Sequence, residues 1–269
     1  MMRAKLLCYM PFVSNEIKKA LVYKTSFFVL LLSRFLSVLV TYYLWTAIYS
    51  SSPDDIIGGF RLQEMVAFVI VSFFTNTMIS SVSIMDIAGD VLKGDIAMSL
   101  VKPIDYQGIC LARASGKLSV SFLVYVLPFY VIFTFAGLLP LPGAVDALLY
   151  IISVILGFTV SYYFSFCFAM IAFRTIYFFG INLAKDSLIS ILSGSLVPLS
   201  FFGTGIRTVL SVLPFSSMVY YPIMIYLGKL SAMETVKALV IQAIWAGAFF
   251  IIGRAGWKSV IRRIVIVGG

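Results

Sequence analysis

The segment TVLSVLPFSSMVYYPIMIYLG, residues 208–228, decides how many times this chain crosses a membrane. It is apolar and just reaches the ~20 residues that an α-helix needs to span the hydrocarbon core. Pro214 and Pro222 divide it into pieces too short to cross. Apolar backbone broken in this way is tolerated at membrane depth where it packs on protein or lines a cavity. That a membrane is the solvent follows from composition. The 269 residues are 61% hydrophobic and 12% charged, with a mean hydropathy of +1.06. Soluble domains carry about 25% charged residues.

Five other apolar runs reach membrane-crossing length or approach it: 26–49, 64–84, 118–139, 147–173 and 236–253. A shorter run at 187–202 is interrupted by Gly194 and Pro198. If 208–228 does not cross, there are six spans and both termini share a side. That side then holds fifteen of the twenty basic residues. Arg61, Arg207, Lys229 and Lys237 lie opposite, and Arg34 lies inside the first span. A seventh crossing would carry the basic tail KSVIRRIVIVGG outward, against the positive-inside rule. The expectation is therefore an all-α integral membrane protein of six spans with both ends cytoplasmic. Residues 204–235 then form a re-entrant or interfacial hairpin on the outer side. No repeat or linker divides the chain, so residues 1–269 read as one transmembrane domain.

Before the first span, Val13, Ile17, Ala20 and Leu21 fall on one helical face, with Asn15, Glu16, Lys18 and Lys19 on the other. That split predicts a short helix lying in the headgroup plane. The apolar run before Pro11 is too short for a signal-peptide core, so the first span is expected to serve as the insertion signal. The net charge of +9 gathers near span ends, where anionic lipid accounts for it without nucleic acid. Cys8, Cys110 and Cys167 follow no disulfide or zinc spacing. With no histidine, Ser-His-Asp and Cys-His catalysis and His-ligated metal sites are excluded.

RASGKLS (113–119) carries a Gly-Lys pair but lacks the earlier glycine of GxxxxGK[ST], and Leu118 stands where Ser or Thr is required. The chain is therefore not expected to hydrolyse ATP. HExxH, GxSxG and an intramembrane acid pair are also missing, so no catalytic residue or cofactor is assigned. Two intramembrane features stand out. Arg34, two turns into the first span, either snorkels to the headgroups or faces inward to polar groups. Ser72, Asn76, Ser80 and Ser83 share one face of the second span, and Ser187, Ser190, Gly194 and Pro198 make a similar face in the fifth. Such faces serve as helix-helix glue or as the lining of a path.

GDIAMSLVKPIDYQG (94–108) falls in the cytoplasmic loop between spans two and three. Ala88, Leu92, Ile96 and Leu100 form an i+4 row, with Asp90, Lys93 and Asp95 pointing away. Pro103 should stop this helix at Lys102, and Asp105 is placed to N-cap the helix leading into span three. Such a helix presents a charged face to a soluble partner, or is simply a solvated loop.

The pattern Gly94, Asp95, Ile96, Leu100, Val101, Lys102, Pro103, Ile104, Asp105 resembles the cytoplasmic loop of the permeases of ABC-2 type bacterial exporters. SGSLVPLSFF (193–202), LPFSSMVYYPIMIYLG (213–228) and the tail from Ile241 resemble that family's fifth span, outer hairpin and last span. AFRTIYFFGINLAKD (172–186) is less acidic and aromatic than the family's second coupling contact. The resemblance implies two six-span subunits, identical or different, paired in a bacterial cytoplasmic membrane. Spans two and five enclose the path. Separate cytoplasmic ATPases, which hold the ATP and magnesium, dock on a coupling helix through Gly94, Asp95, Met98, Ser99, Lys102 and Pro103. Lipid, peptide, drug and glycan would all suit such a path. The competing class is a secondary carrier driven by an ion gradient, which calls for intramembrane acids or paired broken helices.

Overall fold

The computed structural model describes residues 8–22, 24–81, 83–101, 104–175 and 178–261; at 20–22, 24–31, 34, 92 and 172–175 it describes the backbone alone. Lys102 and Pro103, and the side chains of Arg34 and Leu92, therefore lie outside the described residues. Almost everything described is helix. A lead helix α1 (Met10–Val22) is followed by α2 (Lys24–Ser51), which contains the expected first span. A small hairpin pairs Ile56 with Arg61 and Ile57 with Phe60. Its turn, Gly58-Gly59, has φ of 59° and 84°, the left-handed values of a tight two-residue turn. Gly58 is doubly required, because a Cβ there would stand 2.5 Å from the Phe201 ring.

Four helices among the described residues are long and apolar enough to cross a membrane: Leu62–Val91, Tyr106–Phe135, Ala144–Ile171 and Ala232–Ile261. The first is built from α3 (Leu62–Ile79) and α4 (Ile84–Leu92). The second comprises α6 (Tyr106–Ser121), a π-helical turn (Phe122–Val126) and α7 (Leu127–Phe135). Pro128 removes a backbone N–H and crowds the preceding turn, and the wider π turn directly before it accommodates the ring. The third and fourth belong to α8 (Ala144–Thr175) and α13 (Ala232–Ile261), which pack along one another.

The broken fifth run begins earlier than expected, as α9 (Phe178–Leu192). Asn182 Oδ1 accepts from the Ile84 N–H (3.3 Å) near its start. Beyond the break, the Ser195 carbonyl accepts from Ser72 Oγ (2.7 Å), and Phe201 then meets Trp45 with ring centroids 5.4 Å apart. The segment so packs along the bundle from Ile84 to Trp45 although its helix stops at Leu192.

The opening segment folds as three short helices, α10 (Thr204–Val212), α11 (Pro214–Met218) and α12 (Tyr220–Tyr226). Pro214 starts the second, as its fixed φ and missing donor favour. Gln242, fully buried on α13, donates to the carbonyls of Ser217 (2.7 Å) and Ser153 (3.1 Å), while Ser153 Oγ donates back to Gln242 Oε1 (3.1 Å). Gly157 lets the Met218 carbonyl approach to 2.6 Å from where a Cβ would stand. These contacts lie roughly 15 Å along α13 from its start, at 1.5 Å per residue. Tyr226 then returns to the bundle end, donating to the Pro140 carbonyl at 3.0 Å.

Candidate functional site

Salt bridges gather at the two ends of the bundle. At one end, Lys229 pairs with Glu64 (2.8 Å), donates to the Gly59 carbonyl (3.1 Å) and caps the Phe60 ring. At the other, Lys117 pairs with Asp86 and Arg113 with Asp90, both at 2.6 Å, and Arg254 pairs with Asp105. The second end contains the loop between the expected spans two and three.

That loop is not the single amphipathic helix expected from the i+4 row. Gly94, at φ 75°, ends α4, and its N–H donates to the Val91 carbonyl (3.1 Å) in a helix C-terminal turn. A separate helix α5 (Asp95–Val101) follows. Ile96 and Ser99 are buried, whereas Gly94, Asp95, Met98 and Val101 are exposed. Ser99 thus faces the protein interior, unlike the other described residues singled out as coupling contacts.

Asp90, expected on the watery face, is also buried; it accepts from Arg113 and from the Tyr106 hydroxyl (2.9 Å). The reason is tertiary: α6 supplies both donors from beyond the loop. Asp105 caps α6 as its spacing predicts, with Oδ2 accepting from the Gly108 N–H at 3.0 Å.

α6 is the hub of this end. Tyr106 stacks on Trp257 of α13, with centroids 4.7 Å apart. On another side lies α1. Gly108, Ala112 and Gly116 recur every four residues, and the missing side chains of the two glycines admit close neighbours. A Cβ at Gly116 would stand 2.8 Å from the Val13 carbonyl, and one at Gly108 would stand 2.8 Å from Tyr9 Oη. Glu16, read as water-facing, is consequently buried and pairs with Lys19 at 2.7 Å.

The polar faces of α3 and α9 meet around a cavity of about 530 Å³. Ser72, Asn76, Ser80, Ser83 and Ser190 all line it, joined by Ser37 and Thr41 from α2. Ser72 is also glue, through its bond to Ser195, and Asn76 Nδ2 donates to the Ser72 carbonyl at 2.9 Å. Ser83 additionally caps α4, accepting from the Met85 N–H at 3.1 Å. Gly194 (φ 72°) and Pro198 shape the break beyond α9 rather than the cavity wall. Ser187 is exposed.

Sequence reasoning missed the charges in this cavity. Lys185, one of the fifteen basic residues placed on the cytoplasmic side by the six-span count, is 1% exposed and lies within α9. Its Nζ is 3.0 Å from Asp186 Oδ1 and donates to Ser165 Oγ at 3.3 Å. The helical register of Ser190 with Asp186 was the available signal.

Among the described residues, long apolar helices surround a hydroxyl-lined cavity and the ion pairs stand at the bundle ends and the cavity wall, the arrangement of a multi-pass membrane protein. The family model described as ABC-2 family transporter protein matches residues 35–268, and the chain belongs to that family. No curated protein matches it.

Proposed function

We propose that this chain is the permease subunit of an ATP-driven ABC exporter in a bacterial cytoplasmic membrane. Residues 1–269 act as one transmembrane domain of six crossings. These comprise α2, the four long apolar segments and the broken run from α9 to Phe201, and the 204–230 hairpin dips in from the outer side. It pairs with a second permease subunit, and each subunit docks a separate ATPase that binds ATP and magnesium. Gly94, Asp95 and Met98 form the docking surface, with Lys102 and Pro103 following them in the chain.

The observation carrying this reading is the exposed face of α5, at the end of an ABC-2 family chain where basic residues and ion pairs gather. ATP-driven closure of the ATPases shifts the relative stability of two permease arrangements, and the permease transmits that difference. The test is co-purification: the tagged chain should retain a subunit bearing GxxxxGK[ST], whose ATPase rate rises with the permease present. A chain that transports alone in vesicles would overturn the proposal.

One observation favours a second reading. Asp186 beside buried Lys185 in the cavity is the type of charge pair that ion-coupled carriers use. Uptake driven by an imposed proton or sodium gradient, without ATPase, would establish it.

A further inference from the structure

The serine-lined cavity has one buried cation, Lys185, among its described lining residues. Its ammonium is held between Ser165 Oγ and Asp186 Oδ1. The two charges are unequally placed. Lys185 has a side chain only 2% exposed, whereas that of Asp186 is 55% exposed and is also held by Asn182 Nδ2 at 2.9 Å. Asp186 can therefore leave Lys185 and remain hydrated and hydrogen-bonded. Lys185, with its side chain buried, cannot leave the interior. A second anion entering the cavity meets an ammonium whose desolvation is already part of the folded state.

The rest of the lining suits such a guest. The hydroxyls of Ser83, which accepts from the Met85 N–H, and of Ser190 can donate to the remaining oxygens of a phosphate or carboxylate. The volume of about 530 Å³ suits a headgroup-sized ligand. Either side of the cavity carries exposed apolar residues, Leu36 and Val40 on α2 and Leu188 and Ile191 on α9. These provide a surface for a hydrocarbon chain whose polar end is inside.

We infer that this cavity binds an amphiphile through an anionic phosphate or carboxylate group, which takes the place of Asp186 on the Lys185 ammonium. The inference rests on the permease reading for its meaning as a substrate class, but binding itself requires no ATPase.

The full-length chain, purified in a neutral maltoside detergent, is titrated with radiolabelled dodecyl phosphate. Saturable binding of one molecule per chain is expected, displaced by dodecanoate and not by dodecanol. Lys185→Gln should weaken it about tenfold or more, as expected for loss of a charge-assisted contact. Lys185→Arg should retain most of the affinity. Asp186→Asn, at a largely exposed site where folding is not at risk, should tighten binding several-fold by removing the internal competitor. Unchanged affinity in Lys185→Gln, or weaker binding in Asp186→Asn, overturns the inference. Displacement by inorganic phosphate as effective as by dodecyl phosphate also overturns it, because the ligand would then be a free anion. Binding without ATP-driven transport would sink the permease reading alone. Transport without this binding would sink the inference alone.

Discussion

The Asp105 carboxylate ties the start of α6 to the end of α13: Oδ2 accepts from the Gly108 N–H while Oδ1 takes the Arg254 guanidinium. One side chain thus terminates the loop after α5 and fastens it to the last long helix. Tyr106 stacked on Trp257 is a second fastening between the same two helices. A displacement of the start of α6 therefore bears directly on α13.

Asp105→Asn should separate the two roles. Asparagine is as good an N-cap as aspartate, so the thermal midpoint should change little. Asp105 and Arg254 are more than a third exposed, so their pair contributes under about 1 kcal/mol to stability. Transport and permease-stimulated ATPase activity should fall much further than stability. Asp105→Ala loses cap and pair together and should cost about 1 kcal/mol more. An Asp105→Arg, Arg254→Asp double variant that recovers activity over either single change would establish the pair as the link.

Gly94→Ala and Gly58→Ala both place a Cβ at positive φ, at a cost of about 1–2 kcal/mol. At Gly94 nothing lies within 4 Å of that Cβ, so the backbone cost stands alone. At Gly58 the Phe201 ring must also move. Gly58→Ala should lower the unfolding midpoint more than Gly94→Ala, and Phe201→Leu should relieve part of the difference.

These comparisons mark what the residue pattern could convey. Long apolar runs, Pro214 and Pro222, and the Asp105 cap are local, and each was legible from spacing or residue type. So was the shared face of Ser72, Asn76, Ser80 and Ser83, because a helical period alone sets it. Gly94 was legible as a residue, but the i+4 row of Ala88, Leu92, Ile96 and Leu100 runs across it, since periodicity does not register a left-handed φ. The buried states of Asp90, Glu16 and Lys185 were not legible. Each depends on a partner or surface brought from elsewhere: Arg113 and Tyr106 from α6, the Gly116 seam, and Ser165 on α8.

Gly116→Val should detach α1 without unfolding the bundle. The added side chain would be driven into the Val13 carbonyl, which is backbone and cannot rotate away. Close approach of helices in a membrane protein depends on such small residues. Limited trypsin digestion at Lys18 or Lys19 should become faster in the variant, while the remainder of the chain resists as in the wild type. Equal digestion rates would show that the seam does not hold α1.

Gln242→Leu tests the hairpin. Glutamine's amide satisfies two buried carbonyls, and leucine of similar size would leave those of Ser153 and Ser217 without it. An orphaned buried polar group costs about 1–3 kcal/mol, so a clearly lower midpoint is expected. A cysteine introduced at Ser217, buried in the wild type, should react faster with a water-soluble maleimide in the Gln242→Leu background. Unchanged reactivity would mean that α8 packing through Gly157 holds the hairpin alone.

Asp95→Lys tests the docking surface against the interior of the same short helix. Asp95 is exposed at the first turn of α5, and Met98 follows three residues later on the same outward face, 68% exposed. Reversing the charge at Asp95 removes a favourable interaction with the helix N-terminus worth about 0.3–1 kcal/mol, too little to unfold the protein. If this face receives an ATPase, Asp95→Lys and Met98→Glu should each abolish permease-stimulated ATP hydrolysis and co-purification with the thermal midpoint nearly unchanged. Ser99→Val should behave in the opposite way, because Ser99 is 6% exposed and turned inward. It should shift the midpoint and leave ATPase binding intact. If Ser99→Val alone releases the ATPase while both outward variants retain it, α5 does not dock through the face that it exposes.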